Sequence, residues 1–235
     1  MFRLSKHCFL LYNTLQKGSV KMENRYASRI EKVQMSSIRV VMEKVEKLRS
    51  QGKSVVSLCA GEPDFNTPEG IKKATIEALN DNQTHYSSNR GYLGLRKKVA
   101  HLLKEQTTID YDSDTEIIMT CGCSEAINNV CQAFINKDDE VIIFTPAFVS
   151  YQNTVLLCQG IPVEIPLKLS LGFQIDIEEV KNKITKKTKM IILNNPNNPT
   201  GAVYQKETLE QLCKLARENN ILILADEIYN QLDYE

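Results

Sequence analysis

Short apolar runs separated by polar turns dominate the second half of the chain. These runs are nearly continuous, as expected of parallel strands that helices cover on both faces. The predicted strands are 140–144, 161–165, 190–193 and 221–225. A helix over 207–218 is predicted between the last two strands, because Leu209, Leu212, Cys213 and Ala216 recur there at helical spacing. This pattern predicts a β-α-β unit whose second strand ends at Asp226.

The same periodicities predict the remaining elements. Further strands are expected at 55–58 and 116–120, and further helices at 36–49 and 176–184. Thr67 is expected to cap a helix that begins at Pro68. Another helix follows Ser124, and its predicted apolar face consists of Ile127, Val130, Cys131 and Phe134. Strands that alternate with helices in this way indicate the α/β class.

The composition is that of an ordinary globular protein and favours no special class of partner. Of the 235 residues, 42% are hydrophobic and 25% are charged. Lysine plus arginine equals aspartate plus glutamate, so the charge balance gives no reason to expect a nucleic acid or an anionic membrane as partner. No apolar run approaches the roughly 20 residues that a membrane span requires.

The seven cysteines are scattered along the chain. We interpret them as reduced core residues of a cytoplasmic protein rather than as a disulfide framework. Cys121 and Cys123 form the one close pair, and no second Cys or His cluster accompanies them in the sequence. Because tetrahedral metal sites use four ligands, we expect no metal site here.

Two polar features are predicted at positions where α/β proteins bind ligands. Asp226 ends a strand, and the carboxyl ends of parallel strands form the ligand-binding edge of a sheet. Its carboxylate is therefore either a cofactor partner or a cap for the segment that follows. Gly122, Cys123 and Ser124 lead from a predicted strand into a helix, whose N-terminus offers free backbone N–H groups to an anion such as phosphate.

The spacing of two motifs carries a family resemblance. Asn198-Pro199-Thr200-Gly201 is followed, one helix and one strand later, by Asp226-Glu227-Ile228-Tyr229. This arrangement resembles the class I/II aminotransferases, which are pyridoxal-phosphate (PLP) enzymes of fold type I. The resemblance implies an α/β fold with the mostly parallel sheet of that family's large domain, incomplete here, plus the N-terminal part of its small domain. The branch that includes aspartate and N-acetyl-diaminopimelate aminotransferases looks most similar.

The resemblance implies roles for the residues of both motifs. Asp226 would pair with the pyridine nitrogen of PLP, while Asn198 and Tyr229 would hydrogen-bond its phenolic oxygen. A carboxylate beside the ring nitrogen favours the protonated ring, which is the electron sink of this cofactor.

The phosphate of PLP would be held by the turn of Gly122, Cys123 and Ser124, with the Ser124 hydroxyl adding a hydrogen bond. Cys123 occupies a position where the family usually has a smaller residue, so its side chain is not expected to contribute.

Other cofactor and substrate contacts are implied by the resemblance alone. Phe148 would stack on the pyridine ring, although a core phenylalanine is the ordinary alternative. Tyr86 would reach the cofactor phosphate of the partner subunit in a homodimer, or else pack a bend. Gly61, Ile38 and Asn198 would lie on the substrate side, where a plain Gly-Pro turn is the alternative for Gly61.

The resemblance also implies a division of the chain. Residues 61–235 would form the large PLP-binding domain, truncated before its Schiff-base lysine, and residues 22–60 would form an N-terminal arm and part of the small domain. Residues 1–21 would be a non-native or mis-assigned extension. We expect translation to start at Met22, because Lys17-Gly18-Ser19 can be encoded by a purine-rich ribosome-binding sequence at a suitable distance upstream.

The family's catalytic lysine, which forms the Schiff base with PLP, would follow the Asp226 strand, yet no lysine occurs after Lys214. We therefore expect these 235 residues alone to be inactive, poorly soluble and unable to bind PLP. Inactivity follows from the missing lysine. Poor solubility and the loss of PLP binding follow from two further strands that the family places between the Asp226 strand and the 116–120 strand. Without those strands, the phosphate-binding turn and Asp226 would lie on pieces of sheet that do not touch.

The expected function of the full-length protein is amino-group transfer between an L-amino acid and a 2-oxo acid in amino-acid biosynthesis. The alternatives are a PLP-dependent C–S lyase or cyclopropane-forming synthase, and a non-catalytic truncated homologue that binds an intact subunit.

Overall fold

The computed structural model describes residues 27–33, 37–59, 61, 63 and 65–232. Its α-helices are α1 (Ser37–Ser50), α2 (Glu69–Asn80), α3 (Leu93–Thr107), α4 (Cys123–Phe134), α5 (Val149–Leu157), α6 (Ile177–Lys183) and α7 (Lys206–Glu218). Its strands are β1 (Glu140–Thr145), β2 (Ile161–Pro166), β3 (Thr188–Asn194) and β4 (Leu222–Asp226). Short 3₁₀ helices cover Ser28–Lys32 and Leu169–Leu171. The predicted extension over 1–21 and the predicted start at Met22 lie outside the described residues.

The four strands form one sheet in the order β2-β1-β3-β4, and every pairing is parallel. The β-α-β unit predicted around the last two strands is therefore confirmed. Asn194 of β3 lies opposite Asp226 of β4 in the last rung of their pairing. Asp226 thus ends an outer strand of the described sheet, at the edge where parallel strands direct their carboxyl ends.

Alternate residues of the strands face two separate apolar clusters. On one face, Ile142 and Ile191 pack with α6 and α7. On the other face, Val141 and Ile192 pack with α4 and α5. All four of these side chains are at most 2% exposed. Burial of both sheet faces explains why the strands are continuous apolar runs rather than alternating ones.

Two predicted strands are absent from the described structure. Residues 55–58 and 116–120 form no ladder with any described strand. Val56 and Leu58 are 86% and 92% exposed, and Ile118 is 64% exposed. Strand formation requires a pairing partner, so an apolar run alone does not produce it.

Several core predictions were also wrong. Cys213 is exposed, whereas Leu215 joins Leu212 and Ala216 in the buried face of α7. Phe134 is 47% exposed at the end of α4. Pro68, not Thr67, is the N-cap of α2.

The cysteines as a group are less buried than predicted. Among the six described cysteines, all free thiols, only Cys131 and Cys158 are buried. In the part of the chain that the structure describes, no helix is long and apolar enough to span a bilayer.

Candidate functional site

A pocket of about 250 Å³ opens at the carboxyl edge of the sheet, beside the first turns of α4 and α5. Its volume lies just below the roughly 300–1,000 Å³ of typical ligand pockets, which suits a ligand of about one substituted ring. It is lined by Cys121, Gly122, Cys123, Ser124, Ile127, Phe148, Tyr151, Asn198, Asp226, Ile228 and Tyr229. Seven of the ten residues predicted to contact cofactor or substrate are therefore brought together here: Gly122, Cys123, Ser124, Phe148, Asn198, Asp226 and Tyr229.

Asp226 is only 6% exposed, and three donors hold its carboxylate. Tyr151 Oη donates to Oδ2 at 2.6 Å. The Ile228 N–H donates to Oδ1 at 3.2 Å, and the Cys123 thiol donates to the same oxygen at 3.4 Å. A buried carboxylate is tolerated only with such partners. Its position at the end of β4 places a negative charge in the wall of the pocket.

Tyr151 is a site residue that sequence reasoning did not single out. It lies in the first turn of α5 and is 2% exposed. Burial first, and then the hydrogen bond to Asp226, raise the pKa of the Tyr151 phenol above its usual range. The phenol therefore stays a donor to the carboxylate. A sequence signal existed, since Tyr151 follows Phe148 by three residues and such residues share one helix face.

Asn198 and Tyr229 meet in the wall of the pocket. Asn198 Nδ2 donates to Tyr229 Oη at 2.9 Å. The Asn198 backbone N–H donates to the Asn194 side chain at 2.7 Å. Since the two motifs that carry these residues are 31 positions apart, their contact joins the turn after β3 to the segment after β4.

The turn before α4 leaves the start of the helix without a side-chain cap. Gly122 is the N-cap of α4 with φ of +84°, a conformation that glycine adopts at low cost. A Cβ there would meet no neighbour within 4 Å, so the dihedral angle rather than space favours glycine. Gly122 has no side chain to cap the helix, and the first-turn N–H groups of Cys123 and Ser124 are therefore available to a ligand.

Cys123 corrects one expectation. Its Sγ lies 3.4 Å from Asp226 Oδ1, so the turn before α4 and Asp226 are adjacent rather than on separate pieces. That its side chain does not contribute to phosphate binding stays a prediction. Burial, and next the negative charge of Asp226, raise the pKa of the Cys123 thiol to about 11. The thiol is consequently protonated and acts as a weak donor at neutral pH.

Phe148 is the N-cap of α5 and lines the pocket. Its ring meets Tyr151 edge-on, with centroids 5.7 Å apart and an interplanar angle of 79°. This edge-to-face contact fixes the ring by packing.

Three predicted site residues lie elsewhere in the described structure. Tyr86 is fully exposed, Ile38 is 50% exposed on α1, and Gly61 is exposed. None of the three lines the pocket. Their implied roles stay predictions. Among the described residues, no three His, Cys, Asp or Glu side chains cluster as a metal site would require.

Comparison with known proteins links this geometry to a family. The family model described as aminotransferase class I and II matches residues 53–235. A probable aspartate/prephenate aminotransferase of Aquifex aeolicus is 37% identical over 213 residues, which cover 91% of this chain and 54% of that protein. An aspartate aminotransferase of Bacillus subtilis is 38% identical over 210 residues, which cover 89% of this chain and 53% of that protein.

Solved structures agree. Aspartate aminotransferase from Thermus thermophilus with maleate superposes with a TM-score of 0.87 at 39% identity, covering 91% of this chain and 56% of that chain. The predicted fold class, the α/β fold type I of PLP-dependent transferases, is confirmed. The chain spans about half the length of the curated relatives it matches. The chain belongs to the aminotransferase class I and II family.

Proposed function

We propose that this chain contributes the cofactor-binding part of a PLP-dependent aminotransferase that moves an amino group between an L-amino acid and a 2-oxo acid. The observation that carries the proposal is the buried carboxylate of Asp226, which shares one pocket with the Asn198–Tyr229 pair and the N-terminus of α4. The family membership supports the same reaction class.

The polar and aromatic groups that line the pocket fit the functional groups of PLP. Asp226 offers an anion to a protonated ring nitrogen, and Asn198 and Tyr229 offer hydrogen bonds to a phenolic oxygen. The first-turn N–H groups of α4, together with the Ser124 hydroxyl, suit a phosphate. Phe148 offers an aromatic face or edge to the ring. The family is one that uses this cofactor, which supports the assignment.

When bound, PLP supplies an electron-accepting ring that stabilises negative charge on the α-carbon of an amino acid. The residues of this chain would keep that ring in its accepting form. Asp226 would favour the protonated ring nitrogen, because an adjacent anion stabilises the protonated species. Tyr151 donates to Asp226 Oδ2 and fixes the orientation of the carboxylate. Asn198 and Tyr229 would stabilise negative charge on the phenolic oxygen.

Proton transfer at the α-carbon requires a base that the described pocket does not provide. No lysine lines it. The two lysines that most nearly precede Asp226 in the sequence are Lys206 and Lys214 of α7, and their side chains are 83% and 77% exposed. We propose that a polypeptide of only these 235 residues binds PLP without covalent attachment and does not transaminate. The contact between Cys123 and Asp226 supports binding, in contrast to the expectation from the sequence.

The substrates and assembly are proposed from the relatives. Their names include aspartate and aromatic amino acids, which are amino donors, and prephenate, which is a 2-oxo acid and therefore an acceptor. We propose an L-amino acid and a 2-oxo acid of this range as the substrates. A homodimer in the cytoplasm that serves amino-acid biosynthesis is the corresponding proposal for the full-length protein.

The test is a titration of the purified chain with PLP, followed by borohydride reduction. We expect saturable binding seen by absorbance, no covalently retained cofactor after reduction, and no product from aspartate plus 2-oxoglutarate. Saturable binding that Asp226→Ala does not weaken would contradict the proposed site. Covalent retention at a specific lysine would contradict the proposed inactivity.

The nucleotide sequence after the codon for Glu235 separates a catalytic full-length protein from a non-catalytic chain. A continuing frame that encodes a strand and a turn with a lysine supports the working aminotransferase. A stop codon supports a non-catalytic chain, and co-purification with an intact homologue then tests whether it binds one.

A further inference from the structure

Asn194 lies just behind the pocket and joins two of its walls. It is the last residue of β3, is 3% exposed, and is not among the residues that line the cavity. Its Nδ2 donates to the Asp226 backbone carbonyl at 3.0 Å. Its Oδ1 accepts from the Asn198 backbone N–H at 2.7 Å. One amide group therefore contacts both the residue that we assign to the ring nitrogen and the residue that we assign to the phenolic oxygen.

A side-chain amide matches the chemistry of both contacts. A backbone carbonyl only accepts, and a backbone N–H only donates. The side chain between them must offer one donor and one acceptor at short reach, which Asn does and Asp or Leu does not. The two contacts also fix the orientation of the Asn194 amide, since the flipped amide would face a donor with a donor.

The contacts close a circuit around the pocket. Asn194 contacts the Asn198 backbone, and the Asn198 side chain contacts Tyr229. Tyr229 lies three residues after Asp226 in the chain. Asp226 then returns to Asn194 through the hydrogen bond to its carbonyl. Because the circuit is closed, a shift of the Asn198 turn is coupled to a shift of the Asp226 strand end.

We propose that Asn194 is a positioning residue that sets the distance between the ring-nitrogen partner, Asp226, and the phenolic-oxygen partner, Asn198. The proposal rests on the proposed function, because both roles assume a pyridine cofactor. Asn194 itself touches neither cofactor nor substrate. It acts by fixing the two residues that do.

Asn195 provides a matched control on the neighbouring position. Its side-chain Oδ1 accepts from the Tyr204 backbone N–H at 2.9 Å. Tyr204 belongs to the cluster on the opposite face of the sheet, beneath α7. Asn195→Ala therefore removes a side-chain-to-backbone hydrogen bond of the same kind from the same turn without removing a contact to Asp226 or Asn198.

Two substitutions separate the two contacts of Asn194. Asn194→Ala removes both of them. Asn194→Asp keeps an acceptor for the Asn198 N–H but sets an oxygen against the Asp226 carbonyl. We therefore expect Asn194→Ala to disturb the contacts with both the ring nitrogen and the phenolic oxygen. We expect Asn194→Asp to disturb only the contact between Asp226 and the ring nitrogen.

The experiment measures the affinity of the chain for PLP and for two analogues by equilibrium dialysis. One analogue has carbon in place of the ring nitrogen, and the other lacks the phenolic oxygen. Wild-type chain should prefer PLP to both. Asn194→Ala should reduce each preference about tenfold. Asn194→Asp should reduce only the preference over the carbon analogue, and Asn195→Ala should change neither.

A purely structural role predicts a different result, in which Asn194→Ala weakens all three ligands equally and both preferences persist. That outcome, or an equal effect of Asn195→Ala, overturns the inference. If wild-type chain binds PLP and the carbon analogue equally, the proposed role of Asp226 fails instead.

Amide hydrogen exchange tests the Asn194 contact without any cofactor. The Asn198 N–H should be protected in wild-type chain and in Asn194→Asp, and should exchange at least about tenfold faster in Asn194→Ala. Unchanged exchange in Asn194→Ala overturns the inference even where the proposed function holds.

Discussion

The chain divides into two parts that bury their apolar side chains to very different extents. In the sheet region, residues 140–226, both faces of the inner strands β1 and β3 are covered, and Ile142 and Ile191 are 0% exposed. In the N-terminal region, residues 37–121, α2 has no buried residue, and Val56 and Leu58 are almost fully exposed. The difference teaches that the local pattern specifies helices in both regions, whereas strands appear only where a described partner strand is present.

The site follows the same division. Residues anchored in the sheet region line the pocket together, where Tyr151 hydrogen-bonds Asp226 and Asn198 hydrogen-bonds Tyr229. Residues of the N-terminal region with implied roles, Ile38, Gly61 and Tyr86, do not reach it. The turn at Gly122 to Ser124 lies at the boundary between the two regions.

The largest expected effect concerns stability within the two regions. Ile142→Ala should lower the free energy of unfolding by about 2–5 kcal/mol, because it leaves a cavity in a packed cluster. Ile76→Ala, at a position 58% exposed on α2, should lower it by less than about 0.5 kcal/mol. Urea unfolding monitored by circular dichroism measures both. Equal losses would show that the N-terminal region is packed as tightly as the sheet region.

The second effect tests whether the sheet region anchors the cofactor. Asp226→Ala removes the buried charge and leaves the Tyr151 hydroxyl without its acceptor. PLP affinity should fall about 100-fold. Asp176→Ala is the control, because Asp176 is a carboxylate N-cap of α6 in the same region but outside the pocket. It should cost about 1 kcal/mol of stability and leave PLP affinity unchanged. A comparable loss of affinity in both variants would mean that general destabilisation explains the result.

The four strands of the sheet region could be predicted from sequence because their residues are apolar on both faces. Ile142 and Ile143 face opposite clusters, and a continuous apolar run is the signature of that environment. Residues 116–120 have the same local signature, but pairing depends on residues distant in sequence. Local reasoning therefore predicted a strand that has no partner among the described ones.

The candidate site was predictable where a motif fixes both residue type and spacing. Asp226, Asn198 and Tyr229 belong to such motifs and meet in the pocket. Tyr151 and Asn194 were missed because their importance lies in contacts to Asp226 across 75 and 32 positions. Helical or strand periodicity carries no information about such tertiary hydrogen bonds.

The third effect tests the connection between α5 and the end of β4. Tyr151→Phe keeps the ring but removes the donor to Asp226 Oδ2. PLP affinity should fall about tenfold, since a hydrogen bond to a charged group contributes about 1.5–3 kcal/mol at most and the cavity can admit water. Tyr92→Phe, in the N-terminal region and 56% exposed, is the control and should have no effect. An unchanged affinity in Tyr151→Phe would show that Asp226 is held sufficiently by its other donors.

The fourth expected effect concerns the boundary between the regions, where the Cys123 thiol touches Asp226. Its pKa is raised from an ordinary 9.0 to about 11, first by burial and then by the Asp226 charge. Only the thiolate reacts with iodoacetamide, so alkylation at pH 8 should be about 100-fold slower than for an ordinary thiol. The rate should increase about tenfold per pH unit between pH 8 and pH 10, because the folded-state pKa lies above that interval.

Asp226→Asn sharpens this test because it removes the charge while keeping the size of the side chain. The pKa of Cys123 should then fall, since its second cause is gone, and alkylation at pH 8 should accelerate. Peptide mass spectrometry measures the rate at each cysteine, and the exposed Cys213 on α7 serves as the internal control. If the Cys123 rate stops rising near pH 9, or does not respond to Asp226→Asn, the thiol is not held against the carboxylate. The turn at Gly122 would then belong to the loosely packed N-terminal region rather than to the sheet region.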